Sequence, residues 1–161
     1  MISKVKLGQT ESFNMFTWEE LEKIVQDGRL HLLVRSAEIQ ESYMLTKKHV
    51  LEEFESMEDY VKHRALGLKM IPSPITGKLR HAKEEKSKII RLIPNDFPYD
   101  IESDVFHDVI WSNFPMESEQ VDELIAEMEL KMNRKCIYFV NPPHLQSIPQ
   151  VFHVHVFSKT N

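Results

Sequence analysis

The stretch VFHVHVF, Val151 to Phe157, has the composition of a buried strand, yet it carries two histidines. Successive side chains of a strand point to opposite faces of a sheet. One face of this strand is therefore apolar and holds Phe152, Val154 and Val156. The opposite face presents His153 and His155 side by side, together with Phe157. We predict that the histidine pair marks the functional part of the molecule.

Residues 101–161 around this strand combine strands with one helix. Residues 105–112 are β-branched and aromatic and predict a strand. Residues 117–135 predict the clearest helix of the chain, because apolar side chains repeat there at helical spacing: Val121, Leu124, Ile125, Met128 and Met132. Strands are predicted again at 136–141 and 151–159, and the short link between them favours antiparallel pairing. This order of elements predicts an α+β domain with a small sheet.

The N-terminal part, residues 1–67, is predicted to be helical. Thr17 and Glu20 have the spacing of a capping box at the start of a first helix, which Gly28 would end. A second helical pattern spans residues 37–54, and a third lies between Ser56 and Gly67. We expect these helices to form a packed cover over the sheet and to take no part in a site.

Residues 68–100 differ from both flanking parts, because they combine prolines with a dense run of basic side chains. We interpret them as a connecting segment that is partly irregular and contains a short basic helix or strand. Its basic residues fit either a solvated charged face or an anion-holding arm: Lys78, Arg80, His81, Lys83, Lys86, Lys88 and Arg91. In the second interpretation, Lys78 and Arg80 fold across the histidine face and hold a phosphate.

Length and composition limit the class of protein. A chain of 161 residues fits one domain, and 42% hydrophobic with 28% charged residues is ordinary for a globular protein in water. The net charge of -5 argues against general nucleic-acid binding. The single cysteine, Cys136, excludes an internal disulfide and predicts a reducing compartment, so we expect a cytoplasmic protein. No apolar run suggests a membrane span or a signal peptide.

The last third of the chain resembles the histidine-triad proteins. In that family an Asn ends one strand, a loop with Gln-Ser follows, and the next strand carries alternating histidines. Here Asn141 ends a strand, Gln146 and Ser147 lie in the loop, and HVHVF follows. Over most of its length the chain also resembles the N-acetylglucosamine-induced proteins, through the segments LLVRS, NDFPYDI, HDVIWS, FVNPPHLQSIP and HVHVF.

The histidine-triad resemblance implies a nucleotide or nucleotide-sugar as ligand, and phosphoryl or nucleotidyl transfer or hydrolysis as activity. It implies that His153 attacks phosphorus while other side chains orient or donate: His155, Ser147, Gln146 and Asn141. The chain departs from the family by lacking one histidine. Val151 replaces the first if His153 is the nucleophile, and Phe157 replaces the third if His155 is. Uridylyltransferases similar to this group use only His-Pro-His, so two histidines are compatible with catalysis.

Three other hypotheses remain open at this stage. In the first, the two histidines have a structural role only and form hydrogen bonds with their neighbours on an exposed strand face. Two histidines at positions i and i+2 of a strand can reach one Zn²⁺, with His107, His144 or Asp108 as the third ligand. Alternatively, the chain is a catalytically silent adaptor that kept the fold and lost the chemistry, as the missing histidine would suggest.

We therefore predict one α+β domain over residues 1–161, with N-terminal helices that cover a small antiparallel sheet and a histidine-triad-like C-terminal half. The predicted catalytic residues are His153 and His155. The predicted ligand-binding residues are Asn141, Gln146, Ser147, His107, Lys78, Arg80 and Arg35. No cofactor is predicted, zinc belongs to the metal hypothesis alone, and the sequence leaves the oligomeric state open.

Overall fold

A computed structural model of the chain describes residues 15–82 and 85–161, so Lys83 of the basic segment lies outside the described residues. Three helices come first: α1 (Trp18–Gln26), α2 (Ala37–Glu53) and α3 (Met57–Arg64). The capping box predicted for α1 is present, because Thr17 Oγ1 accepts from the Glu20 N–H and the Glu20 carboxylate accepts from the Thr17 N–H. Gly28 adopts a φ of 67°, a left-handed conformation that glycine tolerates at a helix end.

Six strands and one further helix complete the fold. The strands are β1 (Met70–Pro72), β2 (Leu79–His81), β3 (Ile90–Pro94), β4 (Val105–Ser112), β5 (Arg134–Phe139) and β6 (Phe152–Thr160), and α4 (Ser118–Met132) connects β4 to β5. The main sheet has the order β3-β4-β6-β5 and is antiparallel throughout. β1 and β2 form a separate two-stranded sheet. The predicted α+β class is confirmed, with the helices mostly N-terminal and the main sheet in the C-terminal half.

The segment interpreted as a partly irregular connection contributes more structure than expected, since it contains β1, β2 and β3. Leu92 of β3 pairs with Ile110 of β4, which makes β3 an edge of the main sheet. An edge strand pairs on one side only, so it tolerates Pro94 at its end and the charged Arg91 within it. The same residues made this strand difficult to identify from the sequence.

The two faces of the main sheet are covered by different helices. Val154 and Val156 of β6 pack against Val121, Ile125 and Met128 of α4, as the alternation in the sequence predicted. The opposite face packs in part against α1, where buried residues form one cluster: Leu21, Ile24, Val105, Ile137, Phe139 and Phe157. A third cluster joins α3 to the loop before β6. Between these clusters the histidine face borders a cavity.

The helices of residues 15–82 and 85–161 include none that is long and apolar enough to cross a bilayer.

Candidate functional site

Three histidines meet on the face of the sheet that is opposite α4. β6 places His153 and His155 there, and β4 adds His107, which is paired with Phe157 in the strand register. All three side chains are buried. Even so, His153 and His155 line a cavity of about 480 Å³, so they are buried from bulk solvent but accessible from this space.

The helices expected to form only a cover supply part of the cavity wall. α2 contributes Gln40 and Tyr43, and α3 contributes Tyr60 and Arg64, among others. This corrects the prediction that the helical part takes no part in a site. The sequence did not reveal it, because tyrosines at helical spacing are equally typical of a core contact and of an aromatic cavity wall.

The hydrogen bonds of His107 determine where its proton lies. The backbone N–H of Tyr99 donates to His107 Nδ1 over 3.1 Å, so Nδ1 carries a lone pair and the neutral ring is protonated on Nε2. His107 Nε2 lies 3.0 Å from His155 Nδ1. Asn95 Nδ2 lies 3.3 Å from the same His107 nitrogen, but an amide N–H₂ is a donor and cannot accept this proton. His107 Nε2–H therefore donates to His155.

The remaining two rings consequently present opposite groups to the cavity. His155 accepts at Nδ1, so its own proton is on Nε2. His153 Nδ1 lies 2.8 Å from the carbonyl of Val151, which can only accept, so His153 carries its proton on Nδ1 and a lone pair on Nε2. Neither Nε2 atom forms a hydrogen bond with any residue that the structure describes. The site thus offers one donor and one acceptor to a ligand.

Burial keeps these imidazoles neutral near pH 7. Desolvation, reinforced by the positive charge of Arg35, lowers the pKa of His107 to about 3. Desolvation and then the neighbouring His107, His153 and Arg35 lower the pKa of His155 well below its usual value. The pKa of His153 is also lowered by burial, which the hydrogen bond to the Val151 carbonyl partly offsets.

Arg35 supplies a positive charge to the cavity wall. Its Nε donates to the Phe97 carbonyl over 3.0 Å, Nη1 donates to Gln40 Oε1 over 3.3 Å, and the guanidinium lies 4.4 Å from the ring centroid of Tyr43. Within the described residues, no carboxylate lies within 4.0 Å of it. The side chain is held in place while its charge is not neutralised, which suits it to an anionic ligand.

Two of the three predicted loop residues reach the same cavity. Asn141, which is buried, and Ser147 both line it. Burial raises the pKa of Tyr99, and the nearby Asn141 side chain partly offsets the rise. Gln146 instead donates to the backbone carbonyl of Asn141 over 2.6 Å and lines a second cavity of about 670 Å³, which also borders His153.

The predicted basic arm does not reach the histidines. Lys78 Nζ donates to the Leu51 carbonyl over 2.6 Å, and Arg80 lies in β2 opposite Ile71. Neither side chain lines the cavity of His153 and His155. The turn between β1 and β2 is tied to the end of α2, since Thr76 Oγ1 donates to the Glu55 carboxylate over 2.8 Å. These contacts explain why the Pro/Gly segment does not fold over the site as expected.

The arrangement gives little support to the proposed third metal ligands. Both nitrogens of His107 are engaged, one by the Tyr99 N–H and the other by His155. Asp108 follows His107 in β4 and therefore points to the opposite face, towards α4. His144 is exposed in a short 3-10 turn. Across residues 15–82 and 85–161, no group of three or more His, Cys, Asp or Glu side chains is arranged to hold a metal ion.

Tyr99 and Asn95 are site residues that the sequence reasoning missed. The Tyr99 ring stacks on His155 with centroids 5.5 Å apart, and its backbone N–H anchors His107. Both residues belong to NDFPYD, which looks like a rigid connection in the sequence. The available signal was an amide directly after Pro94 and a phenol directly after Pro98, two prolines that fix the local backbone.

The chain matches a family model and is similar to several known proteins. Residues 17–159 match the family model described as "Protein of unknown function (DUF3605)". The chain is 28% identical over 155 residues to the uncharacterized protein YPL067C of Saccharomyces cerevisiae, covering 86% of this chain and 76% of that one. It is 25% identical over 186 residues to N-acetylglucosamine-induced protein 1 of Candida albicans, covering 98% and 71%. A crystal structure of HTC1 superimposes with a TM-score of 0.61 and 25% identity, covering 91% of this chain and 86% of that one.

Proposed function

We propose that this chain, which belongs to the DUF3605 family, binds a nucleotide or nucleotide-sugar in the histidine-lined cavity and transfers or hydrolyses its phosphoryl or nucleotidyl group. One observation carries the proposal. Two neutral imidazoles line the cavity, with a free lone pair on His153 Nε2 and, held by His107 from behind, a free N–H on His155 Nε2, beside the charge of Arg35.

His107 can take the role of the histidine that β6 lacks. The position after His155 on the same face is Phe157, which has no polar atom, but His107 lies beside it on β4. Its Nε2–H holds His155 in one tautomer, which is the role that a partner on the second ring nitrogen must fill. A third imidazole is thus present in space although it is absent from the HVHVF motif.

The cavity has the chemistry that a nucleotide requires. Arg35 can form charge-assisted hydrogen bonds with phosphate oxygens, and a guanidinium matches them with two parallel N–H groups. Aromatic rings on the same wall offer faces for a base: Tyr43, Tyr60, Phe97 and Trp111. A volume of about 480 Å³ is within the usual range for small-molecule sites.

The two free nitrogens suit phosphorus chemistry. The lone pair of His153 Nε2 can attack phosphorus, because burial and its hydrogen bond to Val151 keep that nitrogen unprotonated. An N–P bond forms while the bond from phosphorus to the leaving oxygen breaks. Water or an acceptor hydroxyl then attacks the same phosphorus and releases His153, and the proton it loses balances the one that the leaving oxygen takes up. His155 Nε2–H can donate to a phosphoryl oxygen on which negative charge develops. A single cysteine fits a reducing compartment, so we propose that the reaction takes place in the cytoplasm.

Arg35→Ala is expected to weaken nucleotide binding by about ten- to hundredfold, because a charge-assisted hydrogen bond contributes about 1.5–3 kcal/mol. Arg35→Lys should recover only part of this loss, since lysine keeps the charge and loses the planar fork. Titration calorimetry at two salt concentrations measures the effect. Arg29→Ala is the matched control, because Arg29 pairs with Asp27 away from the cavity and its loss should leave the Kd within about twofold. Equal Kd values for Arg35→Ala and Arg29→Ala would contradict this role.

The proposed function is tested by a thermal-shift panel of nucleoside monophosphates, nucleotide-sugars and divalent metals. The name of the Candida relative makes UDP-N-acetylglucosamine one of the sugars to include. A ligand present at a hundred times its Kd stabilises the folded state by about 2.7 kcal/mol, so it raises the Tm. A shift with a nucleotide that is smaller in His153→Ala supports the proposal. A shift with zinc alone would favour the metal hypothesis, and no shift with any compound would favour the silent adaptor.

A further inference from the structure

We infer that the ligand carries a hydroxyl group next to its phosphate, and that His153 accepts a hydrogen bond from the hydroxyl while His155 donates one to a phosphate oxygen. The ribose of a nucleoside 2′- or 3′-phosphate has this pair of groups. The inference rests on the proposed function and goes further, because it names which part of a nucleotide faces each histidine in the bound complex. The lone pair of His153 is occupied by the hydroxyl in that complex, so the hydroxyl must move away before His153 attacks phosphorus.

Backbone groups determine which of the two histidines presents a donor to the cavity and which presents an acceptor. At one end, the Val151 carbonyl can only accept, and it leaves a lone pair on His153 Nε2. At the other end, the Tyr99 N–H can only donate, and through His107 it leaves a proton on His155 Nε2. Backbone groups do not exchange these roles. The donor and the acceptor at the cavity wall therefore stay where they are.

Ring rotation is also blocked, so the nitrogens cannot exchange places. The His155 ring is stacked by Phe139 at 5.1 Å with an interplanar angle of 12°, and by Tyr99 at 5.5 Å with 23°. Trp111 packs on the His153 ring with centroids 4.6 Å apart. Rotating either ring would break its hydrogen bond through Nδ1 and disturb these contacts.

A phosphate alone can form a hydrogen bond with only one of the two free Nε2 atoms. Its terminal oxygens are acceptors, so one of them suits His155 Nε2–H but repels the lone pair of His153. Protonation of His153 would remove the conflict, yet burial lowers the pKa of this ring and opposes the charge. A hydroxyl group is a donor as well as an acceptor and meets the lone pair without any proton uptake.

The two rings are close enough to contact one ligand. The His153 and His155 centroids lie 5.5 Å apart, with an interplanar angle of 71°, and both side chains line the same cavity. A hydroxyl and a phosphate on adjoining carbons of one ribose are therefore near enough to each other for each to contact one of the two rings at a hydrogen-bond distance of about 2.8 Å.

The tautomers can be measured directly in the unliganded protein. Long-range ¹H–¹⁵N correlation spectra at pH 7.5 distinguish a protonated from an unprotonated ring nitrogen. We expect the proton on Nδ1 of His153 and on Nε2 of His155 and His107. A spectrum with the proton on Nε2 of His153, or on Nδ1 of His155, would overturn the inference.

The ligand preference is tested with matched probes: adenosine and uridine 3′-monophosphates, each against its 2′-deoxy analogue. We expect the deoxy analogue of the better-bound nucleotide to bind about tenfold more weakly, as is usual for a lost hydrogen bond that leaves a buried acceptor unpaired. In His153→Ala the ratio of the two Kd values should fall to about one. The NMR spectrum of the free variant establishes that it is folded.

The outcomes separate this inference from the proposed function. Equal affinity of the wild-type protein for both members of a pair overturns the inference and leaves nucleotide binding intact. If none of the four probes and no nucleoside 2′-phosphate binds while a nucleoside 5′-monophosphate raises the Tm, the inference is again overturned and the proposed function stands. If no nucleotide of any kind binds, both are overturned.

Discussion

Lowering the pH from 6.5 to 4.5 is expected to remove about 2.3 kcal/mol of the free energy of unfolding through His107 alone, with a slope that approaches about 1.4 kcal/mol per pH unit. Burial and the neighbouring Arg35 lower the pKa of this imidazole to about 3 in the folded protein. The unfolded chain therefore binds more protons than the folded one between pH 6.5 and about 3. The contribution of His107 to the free energy of unfolding is complete above pH 6.5 and is lost as the pH falls from 6.5 towards 3. His155, whose pKa is also lowered, adds an effect of the same sign.

Urea unfolding at half-unit steps of pH measures this slope in the wild-type protein and in His107→Gln. The variant has no ring to protonate at position 107, so its slope should be smaller by about 1.4 kcal/mol per pH unit, whatever its stability at pH 7. His49→Gln is the matched control, because His49 is exposed on α2 outside the cavity wall. Identical slopes for His107→Gln and the wild type would show that His107 is not the buried, neutral imidazole described here.

Phe157→Ala is expected to lower the free energy of unfolding by about 3–5 kcal/mol. The Phe157 side chain is completely buried, and its ring centroid lies 4.7 Å from His107 and 5.9 Å from Phe139. Removing the ring leaves a void directly behind the histidine cluster, where the strands allow little collapse. Denaturant unfolding at pH 7.5, where the histidines are neutral, measures the loss.

Phe106→Ala provides the comparison for this variant, since Phe106 is the same residue type on the neighbouring strand but 44% exposed. The Arg134 guanidinium lies 3.9 Å from the centroid of its ring. We therefore expect Phe106→Ala to lower the free energy of unfolding by a smaller amount, about 1 kcal/mol. Equal losses for the two phenylalanines would contradict the position of Phe157 in the core.

The sequence predicts those elements whose local patterns and packing agree. The spacing of residues alone indicates three features: the capping box of α1, the apolar stripe of α4 and the alternation of β6. All three have the expected structure. β3 was not assigned as a strand of the main sheet, because it pairs with a neighbouring strand, β4, on one side only. The alternation that identifies a half-buried strand is weak where an edge strand faces solvent.

The site is predicted less completely than the fold, for a physical reason. The His153 and His155 pair is visible because both residues lie on one strand at alternate positions. The link from Tyr99 through His107 to His155 is not visible, because it depends on the register of β4 with β6 and on a loop that returns to the sheet. Lys78 and Arg80 illustrate the reverse case. Their charge suggested a ligand, whereas the hairpin that carries them is fixed to the end of α2.

A crystal structure of the protein with a bound nucleotide tests the proposed site most directly. The nucleotide is the one that gives the largest increase in Tm. We expect its phosphate in the cavity, with one oxygen within hydrogen-bond distance of His155 Nε2 and another contacting the Arg35 guanidinium, while His153 Nε2 faces the phosphorus or a neighbouring hydroxyl. A nucleotide bound elsewhere on the surface, with the histidine cavity left empty, would contradict the assignment of this cavity as the functional site.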